Sequence, residues 1–200
     1  MNEHSIAIKS NTATFKYSGA YSDEVLFGVQ KFVNEVLDLN VGEVFYFGMW
    51  PVKLCEIGSN LRLYEYDFDA KSYVDNLDKS LKLWQEQSAV NNSQKIDWHS
   101  IELEHQVFFT PNAFNLVAVS TIEGIRDIPK GEHDCGWFVY TAMDQEQGNP
   151  FLNASLGELL KQYNLNVLRF LGLPSGWMFN IEISGNSHVW KEAEEQEILH

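Results

Sequence analysis

Strand-like segments run through this chain out of step with its helical ones, a pattern that excludes a regular βαβ fold. Ile6 to Tyr17 alternates as one strand or two short ones. "EVFYFGMWPVKLCEIG", residues 43–58, reads as strand, break, strand. The break or a sheet edge is expected at Pro51, because proline has no N–H for a central ladder. "NLRLYEYDF", residues 60–68, puts Leu61, Leu63, Glu65 and Asp67 on one face. Arg62, Tyr64, Tyr66 and Phe68 share the other, which carries the aromatics and no acid and is the expected buried face. "IELEHQVFF" (101–109), "FNLVAVSTI" (114–122) and "CGWFVYTAM" (135–143) read as further strands.

The helical stripes are fewer. Ser22-Asp23 opens one, continued by Val25, Leu26, Val29, Phe32, Val33, Val36 and Leu37. A second is expected from about Ala70, through Tyr73, Leu77, Leu81 and Trp84. "EQSAVNNSQK" (86–95) then reads as a loop. Ser155 and Glu158 have capping-box spacing ahead of a stripe of Leu156, Leu159, Leu160 and Tyr163. The expected fold is α+β: mixed or antiparallel sheets with helices packed on one face. Two closely packed subdomains are expected, over residues 1–114 and 115–200.

Charge narrows the partners. Fourteen Lys and Arg stand against 28 Asp and Glu, a net charge of −14. Phosphate binding needs a basic face, so nucleic acid is excluded as a partner, and an anionic membrane surface would repel the chain. A basic protein would be attracted and its encounter accelerated. Two cysteines do not make a disulfide framework. With neither a secretory pattern at the start nor an apolar run of roughly 18 residues, a cytoplasmic protein is expected.

No phosphate loop, nucleophile elbow, HExxH or paired CxxC is present. "EHDC", residues 132–135, is the densest group of ligand or proton-carrying types. An enzyme reading would use Cys135 as nucleophile and His133 as base. The plainer reading is a polar loop entering a strand. A small-ligand or scaffold domain with a site between the subdomains is a further alternative. No metal or cofactor is expected.

"FLGLPSGWMFNIEIS", residues 170–184, joins a helix end, a turn and a strand. Gly172 suits a left-handed helix terminus, and Pro174 to Gly176 a type I turn. Trp177, Phe179, Ile181 and Ile183 then share one strand face, with Met178, Asn180 and Glu182 on the other. With Cys135-Gly136-Trp137 and Trp190, this stretch resembles the immunity protein thirty-three domain of bacterial polymorphic toxin systems, over roughly residues 115–195. Ser175 stands where a second proline is expected, and Met178 where arginine precedes the phenylalanine.

The resemblance implies a non-catalytic protein that binds and neutralises a cognate toxin. An acidic surface covering a basic toxin is the expected mode. Asp134, Asp144, Glu146, Glu192, Glu194 and Glu195 are the candidate partner contacts.

Overall fold

The computed structural model describes residues 1–8, 11–35, 40–97, 99, 101–114, 120–162 and 164–192. The fold is α+β, and the chain divides into two compact units, Met1–Val90 and Asn91–His200. Among the described residues, no helix is long and apolar enough to cross a membrane.

The first unit begins with β1 (Asn2–Ile8), β2 (Asn11–Tyr17) and α1 (Asp23–Glu35). It continues with β3 (Val44–Phe47), β4 (Trp50–Ile57), β5 (Asn60–Asp67), β6 (Ser72–Val74) and α2 (Asp78–Gln94), which runs past the unit's end. The sheet order is β1-β2-β5-β4-β3, with β6 also on β5; β2 and β5 are parallel and the other pairs antiparallel. Val25, Leu26, Val29 and Val33 of α1 pack with Ile6, Phe15, Phe45, Val52, Leu54 and Leu63 of the sheet, and with Leu81 of α2. Each such burial contributes roughly 1.5–3 kcal/mol. The expected α1 stripe is present as far as described; Val36 and Leu37 lie outside the described residues.

Four expectations are corrected here. The break in residues 43–58 falls at Gly48, with φ of +63°, and Pro51 lies inside β4, just before that strand's ladder to β5 begins at Val52. On β5 the buried face is the one with Leu63 and Glu65, at 0% and 2% exposure, rather than the aromatic one. Glu65 goes inward because its carboxylate accepts from Lys79 N (3.1 Å), Ser80 N (2.8 Å) and Ser80 Oγ (2.8 Å), filling the start of α2. That cap also sets the helix start at Asp78 and not near Ala70; Tyr73 belongs to β6, opposite Tyr66. At its other end α2 continues to Gln94, through most of the stretch expected to be a loop.

The second unit contains β7 (Gln106–Phe109), β8 (Thr121–Arg126), β9 (Asp134–Tyr140), α3 (Ala142–Glu146) and β10 (Leu152–Ser155). α4 (Leu156–Gln162), α5 (Leu165–Leu168), β11 (Trp177–Glu182) and β12 (Ser187–Lys191) complete it. Its sheet order is β10-β7-β9-β8-β11-β12, parallel only between β7 and β9. Val107, Ile122, Trp137, Val139, Phe179 and Ile181 turn one face inward, and Leu159, Leu160, Val167, Leu168, Phe170 and Leu171 are buried in the same unit.

The capping box forms as expected: Ser155 N donates to Glu158 Oε2 (2.9 Å) and Glu158 N to Ser155 Oγ (3.3 Å). Tyr163 of the expected stripe lies outside the described residues. The strand expected over 101–109 is only β7, because His105 N closes a turn onto Glu102 O. The strand expected over 135–143 ends at Tyr140, where Thr141 Oγ1 caps α3. The strand expected over 114–122 lies partly outside the described residues; its end enters β8.

Candidate functional site

The two sequence segments that carry the resemblance meet in the second unit. Trp137 Nε1 donates to Leu171 O at 2.9 Å, and the Trp137 ring packs on Phe179 with centroids 5.4 Å apart. Phe170 stacks on Phe179 at 4.5 Å. Arg126 is buried between the segments. Its Nε donates to Cys135 O at 3.0 Å and its Nη1 to Leu173 O. Burial lowers the pKa of its guanidinium from the usual value.

Gly136 has φ of +80°, and a Cβ there would lie 2.2 Å from Asp127 O. Only glycine fits, so "CGW" is a backbone requirement. Trp177 N donates to Pro174 O across a turn whose third residue, Gly176, has φ of +81°. That is a type II requirement, not type I, and the positive φ falls on Gly176 rather than Gly172. These residues form a structural lock.

The other face of the same sheet has a different character. Register pairs Asn153 with Phe108, Phe108 with Phe138, Phe138 with Ile125, Ile125 with Met178 and Met178 with Trp190. One row therefore crosses all six strands, and five of its members are apolar. Phe108 stacks on Phe138 at 5.2 Å, and Phe151, 44% exposed, meets Phe138 edge-on at 5.6 Å. Trp190 closes the row at 38% exposure.

The next row runs Tyr140, Glu123, Asn180, His188. Burial and the Glu123 charge, with which Tyr140 is hydrogen-bonded, raise the Tyr140 pKa. Neither row carries a lysine or arginine. Chemically, this face can seat an apolar surface and attract cations around it.

The first sheet's outer face is aromatic too, with Tyr46, Tyr64, Tyr66 and Tyr73, but it is mixed in charge. Lys16 and Arg62 both pair with Asp75, and Lys53 lies over the Tyr73 ring at 5.5 Å.

The expected contact residues are dispersed. Asp134 is half-buried and shapes its own turn, accepting from Gly136 N (2.7 Å) and Lys130 N (2.9 Å). Asp144 is fully buried, so it leaves the expected contact set. It accepts from Asn112 N (3.0 Å), Asn112 Nδ2 (2.7 Å), Thr141 Oγ1 (2.9 Å) and Asn149 Nδ2 (2.9 Å). Burial opposes its ionisation, but the donors from Asn149, Thr110 and Asn112 hold the carboxyl well below the usual carboxylate range.

Glu146 and Glu192 are exposed, and Glu194 and Glu195 lie outside the described residues. Cys135 is buried, with its thiol directed at Gln106 O (2.9 Å), and burial pushes its pKa up to about 11. That disfavours the thiolate a nucleophile needs; His133, the proposed base, is exposed. Among the described residues, no three His, Cys, Asp or Glu form a group able to hold a metal ion. The row Phe108, Phe138, Ile125, Met178 and Trp190 was not expected from sequence: alternation marks each strand's faces, but only register lines them up.

No curated protein and no solved structure matches the chain. The family model of the Imm33-like domain matches residues 86–192, more than half of the chain, and takes in the interlocked segments around Arg126 and all six strands of the second sheet. The chain belongs to the Imm33-like domain family.

Proposed function

We propose that this chain is a non-catalytic immunity protein that binds and neutralises a cognate bacterial toxin in the cytoplasm. Family membership carries the reading. The net charge of −14 supports a basic toxin, since opposite charge raises the encounter rate and an acidic protein can cover a cationic cleft. The high pKa of the buried Cys135 thiol argues against the alternative of cysteine chemistry.

Co-expression tests the reading. Cells producing the product of the gene directly upstream are expected to survive only with this chain present, and the two proteins to co-purify. Neither binding nor protection would sink it.

A further inference from the structure

We infer that the partner docks on the outer face of the second sheet, across Phe108, Phe138, Ile125, Met178 and Trp190, with a surface apolar at its centre and cationic at its rim. The inference rests on the toxin-binding reading and assigns it a surface.

Three observations converge. The row is apolar from Phe108 to Trp190, and Phe151 widens it at one end. Four of the five, all but Ile125, are of the aromatic and methionine types enriched at interface centres, and all five remain half-buried or exposed. With strands about 4.8 Å apart, six strands span about 24 Å, close to the roughly 28 Å side of a standard interface patch of about 800 Å².

The charged residues at the outer-facing positions of these strands are all acidic, and the exposed Lys130 of the β8–β9 loop is paired with Asp127 at 3.4 Å. Glu123 flanks the row, Glu182 shares the same side of β11, and Glu192 follows β12 and is exposed. The outer-facing positions of these strands hold no lysine or arginine, whereas those of the first sheet hold Lys16, Lys53 and Arg62. A cationic rim on the partner complements the second sheet and not the first.

The test uses the full chain and, as probe, the purified product of the gene directly upstream. Trp190→Ala and Met178→Asp are each expected to weaken binding at least about tenfold and to reduce protection. Glu123→Lys is expected to slow association and to flatten its dependence on salt. Phe27→Ala, at a 66% exposed position on α1, is expected to bind as the wild type does.

Trp190 lies on an edge strand, so its variant should keep the wild-type circular dichroism spectrum and melting temperature. If the wild type protects and folded Trp190→Ala and Met178→Asp protect equally well, this surface is overturned while the toxin reading stands. If the wild type neither binds nor protects, the toxin reading fails and the docking surface fails with it.

Discussion

The Glu65 carboxylate accepts from the Ser80 backbone N–H at 2.8 Å, so a buried acid on β5 caps α2. Burial pushes its pKa from 4.5 up to about 7, although the N–H groups of Ser80 and Lys79 pull the other way. The folded chain therefore holds this proton more tightly than the unfolded chain between about pH 4.5 and 7. The Glu65 contribution to stability falls as pH rises through that window, by up to about 3 kcal/mol. Denaturant titrations from pH 5 to 8 should show Glu65→Gln flattening this part of the pH dependence.

Asp144 is expected to act with the opposite sign. Its folded pKa is depressed, so its contribution is present above about pH 4 and is lost as pH falls further. Asp144→Asn replaces one accepting oxygen with a donor among Asn112, Thr141 and Asn149. Urea unfolding at pH 7 should show a loss of about 2–4 kcal/mol, shrinking as pH drops toward 3.

Gly136→Ala should cost about 2–4 kcal/mol, combining strain at φ of +80° with a Cβ 2.2 Å from Asp127 O. Gly131→Ala, in open space a few residues earlier, should change stability by less than about 0.5 kcal/mol. Equal melting temperatures for the two variants would contradict the role given to Gly136.

Alkylation distinguishes the cysteines. Cys135 is buried with its thiol pKa near 11, whereas Cys55 is half-buried. Mass spectrometry of native protein treated with iodoacetamide at pH 8 should find Cys55 modified first. Cys135 should react only on denaturation. Rapid native labelling of Cys135 would revive the enzyme reading.

Local patterns that depend on neighbours in sequence were legible from the chain alone. The Ser155–Glu158 capping box and the α1 stripe need only residues three or four apart. The inward Phe179 and Ile181 against outward Met178 and Asn180 need only alternation. Readings that depend on distant partners failed. Tyr73 stands four residues before Leu77 and mimics a helix, yet Tyr66 holds it in a sheet. Asp144 looks like a surface acid until Asn112 arrives from 32 residues away.

By itself, the sequence determined the α+β class, the acidic balance and the family segments, because composition and hydrophobic period are properties of the chain read residue by residue. Tertiary structure alone decided which face of β5 is buried, because Glu65 finds buried N–H donors on α2 that outweigh its lack of apolar surface. It alone decided that five apolar side chains from β7, β9, β8, β11 and β12 form one row. A one-residue change of register would place any of them on the opposite face, and two of the four pairings that set it, β7 with β9 and β8 with β11, join strands that are not consecutive in the chain.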